Sequence, residues 1–137
     1  VSLFDRSPMW PSWRRLGLAA VFATSLTLGA EVQAKESASD MATVSLSALP
    51  SQAQSTHSMI LAGGPFPYDK DGSVFGNREK RLPSKARGYY REYTVKTPGA
   101  RNRGARRLIC GGTPPTRPDA CYYTDDHYAS FRRVTTP

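Results

Sequence analysis

The feature that most constrains this chain is a change of pattern at Gly63 and Gly64. Ahead of the glycines, "LPSQAQSTHSMILAGG" starts at Leu49 and sets Ala53, His57, Ile60 and Leu61 at helical spacing. Pro50 takes a favourable first-turn position and the two glycines supply a stop, so one short amphipathic helix is expected. His57 reads as a helix-face histidine rather than a catalytic one. Behind the glycines come short aromatic and β-branched runs, "SVF", "YYREYTV", "RRLI", "CYYT" and "YASFRRV", separated by Gly, Pro, Asn and Asp. These read as strands, with alternation clearest where Arg91, Tyr93 and Val95 interleave with Glu92, Thr94 and Lys96. A helix followed by a run of strands predicts an α+β fold, one N-terminal amphipathic helix packed on an antiparallel β-sheet.

The opening of the chain does not look like part of that fold. Arg14 and Arg15 precede the apolar run Leu16 to Ala30, and Val32-Gln33-Ala34 follow with small residues where a signal peptidase needs them. Residues 1–34 are therefore expected to be a secretory signal peptide cut near Ala34, with Met9 a candidate start. The run falls short of the roughly 18 to 20 residues that span a bilayer, which favours a leader over a permanent anchor. "SWRRLGL" matches a twin-arginine signal only loosely, so the general export route is preferred. Residues 35–42 read as a flexible polar leader, and residues 43–137 as one small domain.

Of the 137 residues, 103 follow Ala34, and they carry sixteen basic against nine acidic side chains, a net of +7. So basic an exported domain suits a polyanion: nucleic acid, heparan-like glycan or anionic lipid. Both cysteines, Cys110 and Cys121, lie in the exported part, where an even count favours a disulfide over free thiols. With two histidines and no CxxC, no metal site is expected. "DKDGSVFGNRE" resembles a calcium loop, but with Gly72 sixth the first position is Pro67 and the twelfth Arg78, so calcium is rejected.

The chemistry concentrates in "REYTVKTPGARNRGARRLIC", where Glu92 stands just ahead of four arginines between Arg101 and Arg107. On a strand, Glu92 shares a face with Thr94 and Lys96, and the glycine-broken turn can fold arginines back beside it. A carboxylate beside guanidiniums stays charged and can accept a proton. The planar guanidinium fork suits phosphate oxygens, above all when negative charge grows there in a transition state. A partner acid is available in "TDDHYASF", where His127 is expected on a strand edge; histidine can give a proton to a leaving oxygen. The alternatives are an exposed loop histidine and a solvated basic face.

Four strings carry a resemblance: "LSALP", "GPFPYDKDGSVFGNRE", "GYYREYTVKTPGARNRGARRLI" and "YYTDDHYASF". In order, they resemble the secreted bacterial guanyl-specific ribonucleases of the barnase and Streptomyces type, the microbial ribonuclease family, from roughly Thr43 to Val134. The resemblance implies a guanyl-specific endoribonuclease domain over 43–137. It would cleave single-stranded RNA 3′ of guanosine to a 2′,3′-cyclic phosphate, then hydrolyse that to a 3′-phosphate, with no cofactor. It implies Glu92 as general base, His127 as general acid, and Arg103 and Arg107 as the phosphate grip, with Arg78 nearby. Glu79, buried against the base, would accept from N1 and the exocyclic amine of guanine. Main-chain amides of Asn77 and Arg78 would face O6, and Phe75 and Tyr128 would border base and phosphate.

The same resemblance implies an RNA substrate and a small acidic barstar-like inhibitor as a partner; a monomer is the default expectation, and removal of the leader should leave it outside the cell with no stable membrane association. The alternative is a non-catalytic basic module on the same fold that binds RNA or glycan. Ser45 stands where such relatives often carry a cysteine, and Gly76 and Ser73 replace bulkier residues around the guanine loop. Cys110 and Cys121 flank "GGTPPTRPDA", a lengthened loop, and are expected to pair with each other.

Overall fold

The computed structural model describes residues 40–137. The signal peptide and most of the polar leader expected from sequence lie outside the described residues. Six strands and one α-helix follow in the order β1 (Thr43–Ser45), α1 (Ser51–Ala62), β2 (Ser73–Val74), β3 (Tyr90–Thr94), β4 (Arg107–Gly111), β5 (Ala120–Thr124) and β6 (Arg132–Thr135), with a 3-10 turn at Leu46–Ala48 between β1 and α1. The strands form one sheet in the order β1-β6-β5-β4-β3-β2.

From β2 to β6 every pairing is antiparallel, as expected; β1 alone runs parallel to its neighbour, Val44 opposite Val134. The sheet is thus mixed. A strand of three residues has too little pattern to show in sequence, and it exists because β6 offers it an open edge. The contact begins upstream of β1, where the Arg133 N–H donates to the Ala42 carbonyl at 2.8 Å.

Helix α1 has Pro50 as its N-cap, and its C-terminus closes in a Schellman pattern, Gly63 N–H to Ile60 O and Gly64 N–H to Met59 O. It buries Ala53, Thr56, His57 and Ile60. Leu61, expected on that face, is half exposed. Thr56 takes a place instead because its hydroxyl donates to Gln52 O at 2.9 Å and lies 3.1 Å from Thr94 O, which ties the helix to β3.

The alternation in β3 divides the sheet between two cores. Tyr93 and Val95 join Leu108, Cys110, Cys121, Tyr123 and Val134 under Ala53 and Ile60 of the helix. Fully burying one such aliphatic side chain stabilises by about 1.5–3 kcal/mol. On the opposite face Tyr90, Ile109, Tyr122 and Phe131 pack with Leu82 under the long β2–β3 loop, with Phe75 and Tyr128 at the border. Glu92, paired with Ile109, points to this second face. Cys110 and Cys121, directly opposed on β4 and β5, are joined in a disulfide on the helix side.

Candidate active site

The β2–β3 loop forms one wall of a cleft of about 820 Å³ whose floor includes Tyr90 and Glu92 and whose far side includes Arg103, Tyr128 and Phe131. Phe75, Asn77, Arg78 and Glu79, all chosen from sequence, line it. Asn77 holds the loop in shape. Its amide donates to Leu82 O at 2.9 Å and accepts from the Leu82 N–H at 3.1 Å, and it adopts a φ of 46°. Neither the Asn77 nor the Arg78 main-chain N–H donates to another described residue. An unpaired main-chain N–H seeks an acceptor.

Glu79 is not buried. Its side chain is 73% exposed and pairs with Arg81 at 2.9 Å, because the loop turns it outward at the cleft mouth. Any desolvation of this carboxylate must come from a ligand that covers it.

At the other end, Glu92 is only 13% exposed and is held on both oxygens. Arg103 Nη2 donates to Oε1 at 3.3 Å, and the Tyr128 hydroxyl donates to Oε2 at 2.6 Å. Arg103 is aimed by a second bond, Nε to Thr94 Oγ1 at 2.9 Å, so the face shared by Glu92 and Thr94 along β3 positions the guanidinium. Thr94 was not singled out from sequence as a site residue; its spacing of two from Glu92 was the available signal.

Arg107 opens β4 and is 3% exposed. Its Nη1 donates to the carbonyls of Arg103, Gly104 and Arg106, and its Nε to the Tyr128 hydroxyl at 3.2 Å. Nη2 has no partner among the described residues. A buried guanidinium is expensive to desolvate, and here carbonyls and a phenol, rather than a direct carboxylate, hold it. The turn that delivers these carbonyls needs Gly104, whose φ is 64° and where a Cβ would press on Thr97 Oγ1. Arg103 therefore lines the cleft, Arg107 lies buried behind it and reaches it through the Tyr128 hydroxyl, and Arg101 stays exposed.

His127 lies in the turn between β5 and β6, not on the strand edge expected from sequence. The strand starts only at Arg132 because His127 and Tyr128 adopt positive φ angles of 54° and 69°. Left-handed backbone at two successive non-glycine residues costs on the order of 1 kcal/mol or more each, and such strain gathers at functional positions. Asp126 holds it. Oδ1 accepts from Thr124 Oγ1 at 2.8 Å and from the Ser130 N–H at 2.9 Å, Oδ2 accepts from the Ser130 hydroxyl, and the Tyr128 N–H donates to Thr124 Oγ1. The Ser130 bonds hold the Asp126 carboxyl down at about 2. Thr124, Asp126 and Ser130 were missed as positioning residues, although "TDDHYAS" carries the turn-forming types.

His127 is exposed, its N–H donates to Ala105 O at 3.1 Å, and its ring meets the Tyr128 ring edge-on at 4.8 Å. Its imidazole has no hydrogen-bond partner among the described residues. Tyr128 stands between the two catalytic candidates, against His127 on one side and bonded to Glu92 on the other. Burial, then the Glu92 carboxylate, pushes the Tyr128 phenol above its ordinary value. Phe75 stacks on Tyr128 with centroids 5.5 Å apart.

A basic, partly enclosed cleft with one nearly buried carboxylate, a guanidinium bonded to it, a second guanidinium joined through Tyr128 and a neighbouring histidine is equipped for acid–base chemistry on a phosphate ester. The comparisons with known proteins agree. A family model for ribonuclease matches residues 32–135. Guanyl-specific ribonuclease Sa of Kitasatospora aureofaciens is 58% identical over 92 residues, 67% of this chain and 92% of its own length. Guanyl-specific ribonuclease Sa3 of the same organism is 59% identical over 91 residues, 66% of this chain, which spans 62% of that relative. The crystal structure of ribonuclease Sa2 with guanosine-2′-cyclophosphate superposes with a TM-score of 0.63 at 48% identity, covering 70% of this chain and 97% of that one. The chain belongs to the family of bacterial guanyl-specific ribonucleases.

Proposed function

We propose that the protein is a guanyl-specific endoribonuclease that cleaves single-stranded RNA 3′ of guanosine by transesterification. Glu92 takes the proton of the ribose 2′-hydroxyl, the freed oxygen attacks the adjacent phosphorus, and the bond from phosphorus to the 5′-oxygen breaks. His127 supplies the proton to that departing oxygen. Arg103 and Arg107 neutralise charge on the phosphorane. The 2′,3′-cyclic guanylate is then opened by water with the two roles reversed, leaving a 3′-phosphate.

Guanine selection is assigned to the 75–79 loop. Glu79 accepts from N1 and the exocyclic amine, the unpaired N–H groups of Asn77 and Arg78 donate to O6, and Phe75 and Tyr128 border the base. Adenine offers neither an N1 proton nor an amine at that edge, so it would cover Glu79 without pairing it, and unpaired polar groups are what such sites reject.

The observation that carries the proposal is Glu92, held between the Arg103 guanidinium and the Tyr128 hydroxyl at the floor of a cleft lined by the 75–79 loop. We further propose that residues 1–34 are a cleaved signal peptide and that the enzyme acts outside the cell as a monomer. A small acidic inhibitor protein would suit the same basic cleft in the producing cell.

The deciding experiment gives the protein separate GpC, ApC and UpC in EDTA, with Glu92→Gln and His127→Gln alongside. Cyclic guanylate from GpC alone, lost in both variants, is the expected result. Tight RNA binding with no turnover of any dinucleotide would leave a binding module instead. In the same assay Glu79→Gln should narrow the preference for GpC over ApC; an unchanged preference would remove Glu79 from base selection.

A further inference from the structure

The cleft has a second basic wall that the proposed reaction leaves unused. Lys85 and Arg87 line it, and both are exposed. The ion pairs among the described residues are Arg81 with Glu79, Arg103 with Glu92 and Arg132 with Asp125, so neither Lys85 nor Arg87 is matched to a carboxylate there.

This wall stands on a fixed support. Lys85 Nζ lies 5.2 Å from the centroid of the Tyr89 ring, close enough for the ring's electron-rich face to hold the cation. The Tyr89 hydroxyl donates to Asp119 Oδ2 at 3.1 Å, and its ring lies against Gly111, where any Cβ would collide with it. The Tyr89 N–H closes a turn onto Ala86 O at 3.1 Å, and that turn carries Arg87. Lys85 is thereby held over Tyr89 and Arg87 is carried on the adjoining turn, two unneutralised cations on the wall of the same cleft that Glu92 and Arg103 line.

The sheet register gives the direction. Tyr90 pairs with Gly111 at one end of β3, and Thr94 pairs with Arg107 at the other, where Arg107 in turn faces Thr124. His127 belongs to the Thr94 end through its bond to Ala105, Glu92 lies between, and Lys85 and Arg87 precede Tyr90. The departing 5′-oxygen, and with it the nucleotide 3′ of the cut, must face the acid His127. The strand 5′ of the guanosine is therefore directed to the Tyr90 end, about 13 Å along β3 from Thr94.

We infer that Lys85 and Arg87 form a phosphate-binding position for RNA on the 5′ side of the guanosine, so that the enzyme grips oligonucleotides more strongly than dinucleotides. The inference rests on the ribonuclease mechanism proposed above for its direction of travel. Each phosphate neutralised releases counterions, which gives the position a measurable salt signature.

The test compares the mature protein with the Lys85→Ala/Arg87→Ala double variant on GpC, on the 5′-extended ApApGpC and on the 3′-extended GpCpApA. The variant should lose several-fold in kcat/KM on ApApGpC alone. Its slope of log(kcat/KM) against log salt on that substrate should shrink by about 0.7 for each phosphate contact removed. Equal turnover of ApApGpC by both proteins would overturn the inference, and so would an equal loss on all three substrates. Failure of the unaltered enzyme to cut GpC would sink the ribonuclease mechanism alone. Binding of the uncleavable deoxy-oligonucleotides d(AAGC) and d(GCAA) then decides the phosphate position: weaker binding of both, or of neither, in the variant counts against it, and selective weakening of d(AAGC) supports it.

Discussion

The Tyr128 hydroxyl donates to Glu92 Oε2 at 2.6 Å while accepting from Arg107 Nε at 3.2 Å, so one phenol links the nearly buried carboxylate to the buried guanidinium. The link spans β3, β4 and the β5–β6 turn, and it brings two charges into one network without direct contact between them. Hydrogen bonds to charged groups contribute about 1.5–3 kcal/mol. Tyr128→Phe should therefore lower stability by roughly that amount, read from the urea midpoint at unchanged m-value, and an unaltered midpoint would show the link to be energetically idle.

Asp126 acts on catalysis through His127 and Tyr128, whose strained backbone it braces. Asp126→Ala should lower kcat/KM on GpC by at least roughly tenfold, a part of the 10²–10⁴ a general acid contributes. Restoration of most of that loss in Asp126→Asn, which keeps an acceptor for the Ser130 N–H, would separate bracing from charge. The carboxyl sits near 2 in the fold against an ordinary 3.8, because of Ser130. Its stabilisation is present above about pH 4 and is lost as pH falls from there through about 2. The acid limb of the unfolding curve should be shallower in Asp126→Asn than in the wild type.

His57 gives a separate pH dependence. Burial in α1 lowers its proton affinity from the ordinary 6.5, so the unfolded chain binds a proton more readily than the folded one. Stability is unaffected by this group above pH 6.5 and falls as pH drops below it. Denaturant unfolding at pH 7.5 and pH 5 should show a smaller fall for His57→Gln than for the wild type; equal falls would assign the change to other groups.

The Cys110–Cys121 bridge lies on the helix side of the sheet, away from Glu92. Replacing both cysteines by alanine should cost up to about 3 kcal/mol in the chain-entropy account, with GpC turnover at 25 °C unchanged. A loss of activity in protein that remains folded would show that the bridge also shapes the catalytic face.

Sequence by itself determined the elements whose signal is local. The two-residue period around Glu92 put Glu92 and Thr94 on one face, and helical spacing closed by two glycines gave α1 nearly to its ends. The resemblance in "FGNRE", "REYTV" and "DDHYASF" picked out residues that the fold gathers around one cleft, with His127 beside it. Only the tertiary structure decided the rest, because those features depend on partners distant in the chain. Strand β1 exists through the edge of β6, Thr56 replaces Leu61 in the helix interface through Thr94, and Arg107 can be buried because three carbonyls and Tyr128 surround it. His127 sits in a strained turn rather than a strand because Asp126 and Thr124 hydrogen-bond the turn in place. Glu79 faces outward because its loop is stapled by Asn77 to Leu82. Periodicity reports which face a residue occupies; burial, charge pairing and backbone strain are decided by what the fold brings opposite.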